Sequence, residues 1–131
     1  MASSTHVIDP RNPIVLVVDD DEDTRYLIRL ALEARGYRVC EAEDGEQAIA
    51  TASREQPDTI LMDISMPVLN GLTATARIRE RSELRKIPIV AVTAHNETDL
   101  RASAEASGFT AYVTKPIDFD WLDEFIKGLL E

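Results

Sequence analysis

The chain has almost no cysteine: Cys40 stands alone among 131 residues. No intrachain disulfide can form, and a reducing cytoplasm is the default compartment for such a sequence. Long apolar stretches are also missing. The longest uninterrupted run, Ile14 to Val18, is far too short to span a bilayer. The opening Met1-Ala2-Ser3-Ser4-Thr5-His6 has neither the basic block nor the apolar core of a signal peptide. No internal repeat, low-complexity run or interdomain linker is present. Positive charge is scarce: 14 Lys and Arg face 24 Asp and Glu, a formal net charge of -10. That argues against direct nucleic-acid binding and against binding to anionic membranes. Acidity alone does no more than keep a domain soluble. A function depends on where the acids lie.

What is present suits one globular domain. With 131 residues, 44% hydrophobic and 29% charged, the chain can bury roughly two-thirds of its unfolded surface without metal or disulfide. Residues 1–12 read as a flexible polar tail, and residues 13–131 as the folded body. Ile14 to Val18 reads as a strand buried on both faces. Asp23 to Arg35 follows as a helix, with Leu27, Leu30, Ala31 and Ala34 at the spacing of an inward face, closed by Gly36. Tyr37 to Ala42 is a mixed strand suited to an edge. Asp44 caps a helix to about Arg54, with Gln47 at the capping-box position.

After Pro57 the same alternation resumes. Strands are expected at Thr59 to Met62, Ile89 to Val92 and Phe109 to Val113. Helices are expected at about Leu72 to Arg81, Glu97 to Ala106 and Phe119 to Leu130, the last with Leu122, Phe125, Ile126 and Leu129 on one face. Five strand-helix units imply an α/β fold with a parallel sheet covered on both faces. The flavodoxin-like (βα)5 strand order 2-1-3-4-5 is the favoured topology.

In such sheets the functional crevice lies beyond the carboxyl ends of the strands. Those ends carry Asp19-Asp20, Asp63, Thr93 and Lys115. Any one of them is unremarkable as a loop or cap residue. Together they place three acids, a hydroxyl and an amine in one crevice. Clustered carboxylates repel and so call for a cation, and oxygen ligands without His or Cys favour Mg²⁺ or a similar hard ion. Lys and Thr suit phosphoryl oxygens, and an Asp facing them is equipped to accept a phosphoryl group as an acyl phosphate.

Three other chemistries fit poorly. Asp19, Asp21 and Asp23 begin like a Ca²⁺ loop, but Thr24 replaces the required Gly and Leu30 the bidentate Glu. A haloacid-dehalogenase-like phosphatase signature fails at Asp23 when read from Asp19, and at Ser65 when read from Asp63. A flavin-binding flavodoxin needs a phosphate-cradling first loop, and this one is acidic.

The segments Val17-Val18-Asp19-Asp20, Leu61-Met62-Asp63 with Met66-Pro67 and Asn70-Gly71, Val92-Thr93-Ala94, and Tyr112-Val113-Thr114-Lys115-Pro116 closely resemble the receiver domain of two-component response regulators, in its single-domain, chemotaxis-regulator-like form. The resemblance runs from about Ile14 to Leu130. It implies that Asp63 is the phosphoacceptor. It implies that Asp20 ligates Mg²⁺ (or Mn²⁺) with Asp19 assisting, and with Asp63 and the backbone carbonyl of Ser65 as further ligands. Thr93 would move to the phosphoryl group, Lys115 would pair with it, and Tyr112 would change rotamer with Thr93. The Lys115-Pro116 bond would be cis, which would help aim the Lys. His95 and Ser65, each two residues past a site residue, would tune loss of the phosphoryl group.

The implied donor is a sensor histidine kinase or a histidine phosphotransfer protein. The implied reader is a downstream protein, docking on the face of the 97–106 segment, the fifth strand and the last helix. Such a domain is a phosphoacceptor in signal transduction, and promotes only its own phosphorylation and dephosphorylation. The competing expectation is a non-phosphorylated interaction module on the same fold, which the intact acid, Thr and Lys set argues against. Cys40 reads as a small hydrophobe and Trp121 as a packing residue.

Overall fold

The computed structural model describes residues 12–64, 70–93 and 108–130. Ser65, Met66, Pro67, His95 and the helix expected at 97–106 lie outside the described residues, as does nearly all of the 1–12 tail. Five strands form one parallel sheet: β1 (Ile14–Val18), β2 (Arg38–Ala42), β3 (Thr59–Asp63), β4 (Ile89–Thr93) and β5 (Ala111–Thr114). Their order is β2-β1-β3-β4-β5, the expected topology, with β2 at one edge. The described helices are α1 (Glu22–Glu33), α2 (Gly45–Glu55), α3 (Gly71–Arg79) and α4 (Phe119–Leu130).

Alternation along the strands builds two cores. Leu16, Val18, Ile60, Met62, Ile89 and Ala91 pack with Ala48, Ile49, Ala74 and Ile78 of α2 and α3. Val15, Val17, Leu61, Val90 and Val92 pack with Ile28 and Leu32 of α1 and Leu122 and Ile126 of α4. A sheet buried on both faces explains why β1, β3 and β4 read as solid apolar runs.

Caps set the helix starts. Asp21, Asp44 and Asn70 each accept a hydrogen bond from the amide three residues on. The Gln47 side chain reaches back to the Glu43 amide, one residue before the cap itself. Asn70 is the N-cap and Gly71 the first residue of α3, one residue ahead of the expected start at Leu72. Gly71 is required there. A Cβ would sit 2.5 Å from the Asp63 carbonyl oxygen and 2.7 Å from the Ile64 Cα.

Three expectations are corrected. The inward face of α1 is Ile28 and Leu32, whereas Leu27 is 64% exposed and Leu30 45% exposed. Ile28 and Leu32 join the core of Val15, Val17 and Leu61, while Arg25, three residues before Ile28, bonds the Asp19 carbonyl and Glu41 of β2. In α4, Leu122 and Ile126 are buried, Phe125 packs against the core, and Leu129 is exposed. β5 starts two residues later than expected, although the Thr110 amide just before it already donates to the Ile89 carbonyl of β4 at 2.7 Å. Trp121 packs by stacking on Phe125, with ring centroids 5.0 Å apart, while remaining 43% exposed. Cys40 is half-buried, and burial pushes its thiol up to about 11.

Candidate functional site

The carboxyl ends of β1, β3, β4 and β5 bring most of the expected residues together. Asp19 follows β1 directly, and its amide donates to the Ala42 carbonyl at the end of β2. Its Oδ1 accepts from the Asp21 amide at 2.9 Å, an Asx turn that folds the acidic loop back on itself. Asp63 ends β3. Asp19 and Asp63 are buried and Asp20 is exposed, so the crevice has two recessed carboxylates and one at its mouth. Carboxylate oxygens from all three lie within 4.8 Å of one another.

Lys115 follows β5, and its amide donates to the Thr93 carbonyl. Its Nζ lies 3.7 Å from Asp19 Oδ2 and 3.9 Å from Asp63 Oδ2. The Lys115-Pro116 bond is cis, as expected. The Thr93 side chain is buried at the end of β4, its hydroxyl 3.4 Å from the Val113 carbonyl. Tyr112, on β5, packs against the core on the α2 and α3 side. Ser65 and His95 lie outside the described residues.

The donor set fits a hard divalent cation. It is all oxygen, convergent, and carries three formal negative charges against one nearby amine. Asp21 does not extend it: the Thr24 hydroxyl and amide bind its carboxylate and hold it below the usual range.

Two residues were missed in the sequence. Arg25 donates through Nη1 to the Asp19 carbonyl at 2.8 Å and through Nε to Glu41 Oε1 at 2.9 Å. Glu41, on β2, also accepts from Arg29. Burial pushes the Glu41 carboxyl up, but the hydrogen bonds and charges of Arg29 and Arg25 outweigh it and hold the group below its ordinary value. An Arg one turn into a helix that follows an acid pair is a usable signal. It is hidden because a charged residue reads as surface.

Comparison with known proteins agrees with this arrangement. Residues 15–127 match the response regulator receiver domain family. The chain is 36% identical over 116 residues to protein PilH of Pseudomonas aeruginosa, covering 88% of this chain and 96% of that protein. It is 37% identical over 116 residues to the polar-differentiation response regulator DivK of Brucella anthropi, covering 88% and 94%. Among solved structures, the receiver domain of sensor histidine kinase PA1611 from Pseudomonas aeruginosa superposes with a TM-score of 0.84 at 34% identity, covering 91% of this chain and 98% of that one. That structure holds a magnesium ion coordinated in its active site cleft. Chemotaxis protein CheY4 of Vibrio cholerae gives a TM-score of 0.82 at 29% identity, covering 89% and 98%. Receiver domains are signalling domains of two-component systems, and no described helix is long and apolar enough to cross a membrane. With fold, acidic crevice and family match in agreement, the chain belongs to the response regulator receiver domain family.

Proposed function

We propose that the folded body, residues 13–131, is a phosphorylation-activated receiver working in the cytoplasm. Asp63 takes a phosphoryl group from phosphohistidine on a sensor histidine kinase or a histidine phosphotransfer protein, and a downstream protein reads the result. The observation that carries this is the convergence of Asp19, Asp20 and Asp63 within 4.8 Å, with Lys115 Nζ 3.9 Å from Asp63.

An Asp63 carboxylate oxygen attacks phosphorus in line. The P–N bond breaks, and its electron pair returns to the imidazole. Asp19, Asp20, Asp63 and the Ser65 carbonyl would hold Mg²⁺ or Mn²⁺. The ion, when bound, neutralises charge on the phosphoryl oxygens. Lys115, beside Asp19 and Asp63, pairs with a phosphoryl oxygen. The Thr93 hydroxyl leaves the Val113 carbonyl for the new group, and Tyr112 follows into the space released. The change reaches β5 and α4, where a partner docks.

Incubation with Mg²⁺ and a small phosphodonor should add one phosphoryl group by intact mass, and Asp63→Asn should remove that gain. Unchanged labelling of the variant would overturn the assignment. No labelling of the wild type by a panel of phosphorylated donor proteins would favour a non-phosphorylated interaction module.

A further inference from the structure

We infer that Arg25 is a positioning residue for the cation-binding acids: bridged to Glu41, it fixes the Asp19–Asp20 peptide so that the Asp20 carboxylate faces Asp63. The inference rests on the reading that these acids hold a divalent cation. Asp20 is the exposed member of the triad, at the mouth of the crevice. Its direction follows from the peptide plane that precedes it, because one plane carries both the Asp19 carbonyl and the Asp20 amide.

Three hydrogen bonds fix Asp19 on different sides. Its amide donates to Ala42 at 3.1 Å, its Oδ1 accepts from Asp21 at 2.9 Å, and its carbonyl accepts from Arg25 Nη1 at 2.8 Å. The third orients the peptide plane. Arg25 is itself held, since its side chain is only 11% exposed and its Nε bonds Glu41 at 2.9 Å. Glu41 is the β2 residue in register with Val17 of β1. The bridge therefore ties the acidic loop to the rigid edge of the sheet. A guanidinium can serve both acceptors at once because its donors are fixed in a planar fork, which an ammonium cannot reproduce.

The arrangement sets two effects against each other. As a charge, Arg25 repels a cation, so removing it should tighten binding. As a positioning residue it lowers the cost of gathering the ligands, so removing it should weaken binding. Sign therefore separates the two roles.

The test measures Mn²⁺ affinity by the electron paramagnetic resonance signal of the free ion, for wild type, Arg25→Lys, Arg25→Gln and Glu41→Gln. Thermal melts without metal confirm that each is folded. Arg25→Lys, which keeps the charge, should bind about tenfold more weakly, the lower end for partners that orient metal ligands. Arg25→Gln should also weaken binding despite losing a positive charge, and Glu41→Gln should weaken it less. The Asp20 amide resonance of metal-free protein should shift in both Arg25 variants. Wild-type affinity in Arg25→Lys together with tighter binding in Arg25→Gln would show that Arg25 acts only as a charge and overturn the inference. Should wild type itself bind no Mn²⁺, the reading of the acids falls, and the inference with it.

Discussion

The two ends of the sheet handle charge in opposite ways. At the amino end, Arg79 is partly buried at the close of α3. It donates to the carbonyls of Gly108, Leu84, Arg85 and Ile87 and to the Thr110 hydroxyl. Those acceptors are neutral and fixed. Burial lowers the pKa of this guanidinium, but from so high a value that it stays charged. At the carboxyl end, Asp19, Asp20 and Asp63 crowd together with Lys115 at 3.7 Å and 3.9 Å from two of them. One end satisfies its charge from within the fold, and that charge serves structure by clamping α3 to the approaches of β4 and β5. The other end keeps, among the described residues, a surplus of negative charge that a cation from outside would neutralise. The surplus marks the functional end.

The largest effect on stability should come from the satisfied end. Arg79→Leu removes every one of those hydrogen bonds, including those to the part-buried Gly108 and Ile87 carbonyls. Urea unfolding should show a loss of about 3 kcal/mol, within the usual cost of breaking a buried charged network. The variant that remains folded should still take up a phosphoryl group. If it is as stable as wild type, the clamp is not structural.

Next comes the cation. Mg²⁺ at a hundredfold excess over its Kd should stabilise wild type by about 2.7 kcal/mol, because it binds the folded site and not the dispersed unfolded chain. Arg79→Leu should show the same increment, since its site is intact. Unequal increments in thermal melts would mean that the two ends are coupled.

A smaller effect has the opposite sign. Asp20→Asn or Asp63→Asn relieves repulsion in the metal-free crevice and should raise stability by about 1–2 kcal/mol. Each should then gain less from Mg²⁺, having lost a ligand. Variants that both melt below wild type without metal would contradict the surplus at this end.

The smallest effect is a pH response beside the acids of the carboxyl end, at Glu41. The folded Glu41 carboxyl titrates below its unfolded value. Its contribution is therefore present above the ordinary carboxylate pKa and is lost as pH falls through the lower folded value. Stability against pH should decline on the acid side, and Glu41→Gln should make that decline shallower. An unchanged slope would remove Glu41 as a source.

Much of this was legible in the sequence, for reasons visible in particular residues. The runs Ile14–Val18, Ile60–Met62 and Ile89–Val92 announce doubly buried strands because successive side chains enter the two cores in turn. The acids at the ends of β1 and β3 stand out because each follows an apolar run directly, Asp19 after Val18 and Asp63 after Met62. The α1 face was not legible. That helix carries apolar residues almost all round, including Tyr26, Leu27, Ile28, Leu30 and Leu32. Spacing alone permits either face, and the core partners of Ile28 and Leu32, among them Leu61, Leu122 and Ile126, are remote in sequence. The role of Gly71 was hidden similarly, since a helix start gives no sign that the Asp63 carbonyl passes 2.5 Å from where a Cβ would stand.

The claim that the surplus acids form a phosphoacceptor site is tested most directly by locating the acyl phosphate itself. Protein treated with Mg²⁺ and a small phosphodonor is reduced with borohydride, which converts an aspartyl phosphate to homoserine, and then mapped by peptide mass spectrometry. The account predicts homoserine at Asp63 and unmodified aspartate at Asp19 and Asp20. Homoserine at Asp19 or Asp20, or at none of the three, would contradict it.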